Sequence, residues 1–442
     1  MNKIINPRTP RGFRDFLPQT MLRRKHVIET ITDVFHRFGF EPLDTPILEL
    51  RETLLGKYGE DAEQLIFSAQ HGRSSKDPLA MRYDLTVPLA RVVAQYESDL
   101  SFPFKRYHIA PVFRGERPQR GRYREFYQCD ADIVGVAGIE ADAEIVIMMH
   151  RVLDRLEFPQ FTVKINHRKL LAAIGVFSGV PEAQLPNLYR SVDKFDKIGA
   201  DGVRQELIAR EIQADAVSRM MDLLQAYEPG SGNLDLISQA IGAGDNGLDD
   251  LRRLANLLSD SGLPARCYDF DFTMVRGLGY YTGPIFETVI SRPNLGSVTG
   301  GGRYDELIGM FRKQSLPTTG TSFGIERIID LMDELDLYPA SLGGTLVEVL
   351  VTVFSPETSR SSMNIANQLR DAGINTELYF EPRKLGRQFS YADRKGIPIV
   401  AIAGPDETAR GMVKLRRLRD GEEQTLALSD LAGAVTDMLG AP

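Results

Sequence analysis

Residues 105–135 read KRYHIAPVFRGERPQRGRYREFYQCDADIVG. The pattern predicts two strands joined by a long polar loop. Tyr107, Ile109 and Phe113 mark the first strand, and Phe126 and Ile133 the second. From Lys105 to Arg124 there are seven Lys or Arg and a single acid, Glu116. Positive charge at that density repels itself unless an anion lies among it. A solvated basic turn is the plainer reading of such a loop. The end of the first strand is more specific, because Arg114 and Glu116 occupy alternate positions and face the same side if the strand persists. A guanidinium that grips a phosphate, beside a carboxylate that accepts an amino group, suits ATP better than bare nucleic acid.

The chain of 442 residues is long enough for two to four domains. Its 43% hydrophobic and 26% charged content is that of an ordinary globular protein. No apolar run approaches the length of a membrane span, and MNKIINPRTPRGFRD has no apolar core of a signal peptide. Cys129 and Cys267 are far apart and form no CxxC pair, which fits a reducing cytoplasm and excludes a thiolate zinc cage. The histidines at 26, 36, 71, 108, 150 and 167 lack metal-ligand spacing, so no protein metal site is expected. A net charge of −7 argues against broad nucleic-acid binding, though not against a local basic patch.

Val27, Ile31, Val34, Phe35 and Phe38 recur at helical spacing and predict a helix over 18–39 that ends at Gly39. The following FEPLDTPILEL, with two prolines, suits an edge or interface strand. In MRYDLTVPLAR (81–91) two readings stand side by side. Asp84 and Thr86 share one face of a strand, or Asp84 caps a helix that runs on past Pro88. From about 166 to 264 the pattern turns helical, for instance over 203–226 with Leu207, Ile208, Ile212, Met220, Leu223 and Leu224, broken by PGSGN and GAGDNG. This segment predicts a helical insertion. Residues 270–287 return to strand character. There Arg276 precedes two glycines and the pair Tyr280–Tyr281, and glycine permits the close backbone approach that lets such side chains converge on a ligand. Gly300, Gly301 and Gly302 leave a surface without side chains, and Arg327 opens a further helix. A linker over 336–345 leads to alternating strands and helices over 346–442, an α/β domain with a parallel sheet expected. A hairpin there turns at Asp420–Gly421 and carries Lys414, Arg416, Arg417 and Arg419.

The 105–135 stretch resembles the second signature motif of class II aminoacyl-tRNA synthetases. RYDLTVP, RGLGYY and the order of the C-terminal elements are similar to the histidyl-tRNA synthetase family; the helix 18–39 with Pro46 resembles the first class II motif, which builds a dimer interface, and Arg327 the third. The resemblance spans almost the whole chain. It implies an α+β catalytic domain with an antiparallel sheet over 1–335, a helical insertion that contacts the tRNA acceptor arm, and an anticodon-binding domain over 346–442. It also implies a cytoplasmic homodimer that uses L-histidine, ATP with Mg2+, and tRNA(His), without a tightly bound cofactor. By the family's pattern Arg114 grips the α-phosphate, Glu116 the adenine amino group, and Arg122 and Arg327 the outer phosphates. Arg276 approaches the α-phosphate from the other side, where related synthetases use a metal ion. Asp84, Thr86 and Gln128 hold the α-amino group of histidine, Asp132 and Tyr280 address the imidazole, and Tyr281 lines the pocket. Arg114 and Arg276 also face the amino acid and carry the catalysis. The alternatives are a non-catalytic paralogue that regulates ATP phosphoribosyltransferase, which usually lacks the C-terminal domain and erodes the arginine set, and a plain RNA-binding module.

Overall fold

The computed structural model describes residues 5–55, 63–70, 77–119, 121–192, 194–225, 234–242, 244, 247–275, 280–293, 295–339 and 342–440. Arg276, His71 and the PGSGN break lie outside these residues. The chain forms two compact units, one of residues 1–15 with 24–337 and the other of 16–23 with 338–442.

In the first unit the strands are β1 (Glu41–Pro42), β2 (Leu48–Leu50), β3 (Ser68–Ala69), β4 (Leu79–Met81), β5 (Phe104–Phe113), β6 (Glu125–Val134), β7 (Thr162–His167), β8 (Tyr268–Phe270), β9 (Pro284–Val289), β10 (Thr299–Arg303) and β11 (Thr318–Gly324). Eight of them make one sheet in the order β1-β5-β6-β11-β10-β9-β7-β8. The quoted stretch supplies its longest hairpin, with Phe104 opposite Val134 and Phe113 opposite Glu125. The six central strands are antiparallel, as expected, whereas β1 pairs parallel to β5 and β8 parallel to β7. The parallel edges correct a purely antiparallel reading. A parallel pair needs a crossover, and between β7 and β8 the helical insertion is that crossover, with helices from Arg168 to Asp260. The run expected over 203–226 is two helices, Phe195–Ala209 and Ala214–Gln225, because Glu211 between them takes a positive φ of 64°.

The helix Pro18–Arg37 buries Val27, Ile31, Val34 and Phe35 within the chain, so its apolar stripe is not left open for a partner. The helix Glu140–Arg155, which the sequence reading passed over, buries Ile145, Val146, Met148, Met149, Val152 and Leu153. After β4 the chain turns into the helix Thr86–Gln95, which excludes the strand reading of Asp84 and Thr86.

The second unit holds β12 (Val349–Val351), β13 (Thr376–Leu378), β14 (Ile399–Ile402), β15 (Met412–Arg417) and β16 (Glu423–Ala427) in the order β13-β12-β14-β15-β16. The first three are parallel, and β15–β16 is an antiparallel hairpin. Helices Ser359–Asp371 and Leu431–Leu439 cover a core that contains Val349, Val351, Leu369, Ile399, Val413, Leu415 and Val435.

Candidate active site

One face of the large sheet floors a cavity of about 460 Å³. Alternation along β6 turns Gln128, Asp130 and Asp132 to the same side, and all three line it. Opposite them β11 presents Gly320, Ser322 and Gly324, and β10 presents Gly300. Glycine at 320 keeps this approach close, for a Cβ there would lie 2.0 Å from Asp132 Oδ1 and 2.8 Å from the Ala131 carbonyl oxygen. The small floor leaves room for a ligand above the carboxylates.

The rim comes from the loop between β5 and β6. The strand ends at Phe113, so Arg114 and Glu116 lie on extended coil and not on the continued strand that the spacing suggested. Both nevertheless line the cavity, with Arg122 and Arg327. Arg114 is held in place: its guanidinium lies over the rings of Tyr83 and Phe126, and its Nε donates to the Tyr83 carbonyl (3.1 Å). Arg122 pairs with Glu116 at 3.2 Å. Arg327, at the start of the helix Ile325–Leu335, donates to the Ser297 carbonyl at 2.6 Å.

Deeper in, Thr86, Tyr280, Tyr281 and Tyr304 form the wall. The Tyr280 ring packs on Tyr281 (4.9 Å between centres) and Tyr304 (5.6 Å). Burial pushes the Tyr280 phenol well above its ordinary pKa, so it stays a neutral donor and acceptor. Asp84 lies behind this wall, buried and absent from the cavity lining, and its Oδ1 accepts the Val87 N–H at 3.1 Å. Leu85 is the N-cap residue of this helix, and Asp84 stands just before it.

Asp132 is occupied on two sides. Buried Arg106 pairs with it at 2.8 Å and Tyr304 donates its hydroxyl to it. The plainer expectation for Asp132, an arginine partner, is thus part of its environment, although it still lines the cavity. Burial raises its pKa, and Arg106 and then Tyr304 oppose that shift. Asp130, two residues back, was not singled out from the sequence. Burial pushes its carboxyl up to about 7, Arg106 works against this and Asp132 with it. The signal that could have found it was its strand parity with Gln128 and Asp132.

Glu326 was also missed, although it precedes Arg327. It lines the cavity and accepts from Arg14 (2.6 Å) and Arg24 (2.8 Å), while Arg14 stacks on Tyr123. Gln128 Oε1, Asp130 Oδ1 and Glu326 Oε1 are buried acceptors with no hydrogen-bond partner among the described residues. Buried acceptors left unpaired are costly, so a ligand rich in N–H donors fits this wall. Among the described residues no group of three His, Cys, Asp or Glu could hold a metal ion.

A basic rim, an acceptor-rich floor and a second α/β unit are the features that known proteins can be compared on. The model of the family described as histidyl-tRNA synthetase matches residues 12–328, and that of the anticodon binding domain matches 348–438. The chain belongs to the histidyl-tRNA synthetase family. A histidine–tRNA ligase of Aeropyrum pernix is 43% identical over 98% of this chain and 98% of its own. One of Cytophaga hutchinsonii is 39% identical over 94% of this chain and 96% of its own. The crystal structure of histidyl-tRNA synthetase from Nostoc sp. PCC 7120 superposes with a TM-score of 0.86 at 31% identity, covering 98% of this chain and 100% of that one. A Bacillus halodurans structure titled as an ATP phosphoribosyltransferase regulatory subunit/histidyl-tRNA synthetase is 24% identical at a TM-score of 0.75, which is a likeness of fold alone. Every residue assigned above to rim, wall or floor falls inside the family match at 12–328.

Proposed function

We propose that this cavity activates L-histidine with ATP and transfers the histidyl group to tRNA(His), so that the chain works as a histidine–tRNA ligase. In the first step a histidine carboxylate oxygen attacks the α-phosphorus, and pyrophosphate leaves with the electron pair of the broken P–O bond. In the second, a hydroxyl of the terminal ribose of the tRNA attacks the carbonyl carbon and AMP leaves. Two anions must meet in the first step, so catalysis is chiefly positioning and charge stabilisation. That demand matches a site of arginines with no activated nucleophile.

Arg114, pinned between Tyr83 and Phe126, reaches the α-phosphate without a further loss of side-chain freedom. Arg276, outside the described residues, is assigned to the α-phosphate by the family's pattern alone. Arg122 and Arg327 take the outer phosphates, which enter with Mg2+ as part of the substrate. The Glu116–Arg122 pair at 3.2 Å holds two rim groups ready, and nucleotide exchanges that contact for the adenine amino group and a phosphate. Thr86 and Gln128 meet the α-amino group. Asp132 and Tyr280 address the ring, and the Arg106 and Tyr304 contacts orient Asp132 for it. Asp84, beside Thr86 at the start of its helix, meets the α-amino group with Thr86 and Gln128.

The match of the anticodon binding domain to 348–438 supports tRNA as the acceptor. The chain acts in the cytoplasm in this reading; no described helix is long and apolar enough to cross a membrane. It works as a homodimer, with the exposed Ile47, Leu48 and Leu50 beside Pro46 and the nearby class II first-motif wording as the surface for a second copy.

The observation that carries this reading is one cavity with Arg114 and Glu116 at its rim and Gln128 and Asp132 on its floor, in a chain of this family. ATP–pyrophosphate exchange, run with each amino acid in turn, tests it. Exchange with histidine alone is expected. Exchange with none, in folded protein, favours the regulatory or RNA-binding alternative.

A further inference from the structure

The loop between β5 and β6 carries rim arginines at both of its ends, and the two ends are held differently. At the first, Arg114 has the Tyr83 carbonyl and two rings, and the Gly115 N–H donates to the Leu65 carbonyl at 2.7 Å. At the second, Arg122 is more than half exposed. That end is braced by residues 11–15, near the start of the chain. The Gly12 carbonyl accepts the Arg124 N–H at 2.9 Å. A Cβ on Gly12 would lie 2.8 Å from Pro118 and 2.9 Å from Arg124, so the backbone there lies directly against the loop. Two residues on, the Arg14 guanidinium covers the Tyr123 ring at 3.3 Å, and its Nη2 donates to Glu326 Oε2 at 2.6 Å. Tyr123 follows Arg122 and Glu326 precedes Arg327. One guanidinium thus links the neighbours of two rim arginines that stand on separate elements. Arg24, 2% exposed, donates to the same Glu326 oxygen at 2.8 Å. One carboxylate therefore faces two guanidiniums, and the surplus positive charge behind the rim favours a polyphosphate.

We propose that Arg14 is a positioning residue for the nucleotide, which by bridging Tyr123 and Glu326 sets the separation of Arg122 and Arg327 for the outer phosphates of ATP. An exposed guanidinium must be ordered when its ligand binds, and a brace that orders its loop beforehand removes part of that cost. Arg114 and Gly115 keep their own supports, so the α-phosphate end of the site does not depend on Arg14. When Arg14 is removed, Arg24 still pairs with Glu326, no buried carboxylate is stranded, and the fold should survive. The inference rests on the proposed ATP-dependent function.

Direct binding of ATP and of AMP to the full chain, each with Mg2+ and without histidine, separates this role from a general loosening. In Arg14→Ala the Kd of ATP should rise about 10-fold, while that of AMP, which lacks the outer phosphates, should stay within about twofold. In pyrophosphate exchange the KM for ATP should rise by the same factor and the KM for histidine by no more than about twofold. Arg14→Lys, a milder change in case the alanine variant does not fold, keeps the charge towards Glu326 without the planar stack and should raise the Kd of ATP about threefold. Tyr123→Ala should cost ATP about as much as Arg14→Ala, and the double variant no more than either, because both remove one bridge. Equal weakening of ATP and AMP would make Arg14 a structural residue and overturn the proposal. So would an unchanged affinity for ATP, or losses that multiply in the double variant. A parent protein that binds ATP but shows no histidine-dependent exchange would overturn the proposed histidine activation, and the comparison of ATP with AMP would still decide the role of Arg14.

Discussion

His108 on β5 lies opposite Asp130 on β6, and both are buried. Burial first, then Arg106 and Arg82, push the His108 pKa down to about 4, while its Nε2 meets Asp44 Oδ1 at 2.9 Å. An unfolded histidine titrates near 6.5. Between those two values the unfolded chain binds a proton that the folded chain does not, so this residue makes stability fall as pH drops from about 6.5 towards 4. His108→Gln removes that dependence. At pH 7 the variant is expected to be less stable than the parent, for it loses the Asp44 contact. As pH is lowered to 4 the gap should close by up to about 3 kcal/mol, the equivalent of the shift. Urea unfolding at a series of pH values measures this, and a gap independent of pH would mean that His108 titrates normally. Asp130 works in the opposite sense. Its raised pKa makes the folded state bind the extra proton below about 7, so the two neighbours offset each other in the parent.

At the scale of strands, the site depends on the register of β6 against β11. Asp132 stands opposite Gly320 and Asp130 opposite Ser322, and a one-residue slip would turn the carboxylates to the other face. Gly320→Ala tests how closely the strands and carboxylates fit. The new Cβ would meet Asp132 Oδ1 at 2.0 Å, so the carboxylate must leave Arg106 and Tyr304 or the strands must part. Overpacking of this kind costs about 1–3 kcal/mol. A lower melting temperature and a rise of about tenfold or more in the KM for histidine are expected, with the KM for ATP little changed. A variant with parent-like melting and KM would show that the floor relaxes freely.

The whole chain divides at 337/338, and every residue proposed for adenylate formation precedes that point. A chain ending at Leu337 should therefore keep pyrophosphate exchange and lose most tRNA charging, since the unit matched to an anticodon binding domain is gone. Loss of exchange in a soluble, folded truncation would place part of the catalytic machinery in the second unit, which also includes residues 16–23. The oligomeric state is the other property at this scale. Light scattering is expected to give twice the 49.4 kDa of the single chain, and Leu48→Asp on the exposed Ile47–Leu50 surface should shift it towards the monomer. A parent that scatters as 49.4 kDa at micromolar concentration would rule out the dimer.

Much of the fold was legible because its signals are local. Apolar spacing marked the helix that spans Pro18–Arg37, alternation marked β5 and β6, and the Asp420–Gly421 turn marked the last hairpin. The motif wording around Arg114, Glu116, Gln128 and Arg327 carried the family, and these four line one cavity. Sequence by itself could not assign the carboxylates. Asp84, Asp130 and Asp132 are chemically alike and close together in sequence or parity. Asp84 accepts the Val87 N–H near a helix start, Asp130 stands opposite Ser322 in the sheet, and Asp132 meets Arg106 and Tyr304, the last 172 positions away. Spacing along a strand decides which side a residue faces, but its partners come from other strands and helices. Only the register of the assembled sheet decides which buried acid is neutralised within the protein and which is left for a ligand.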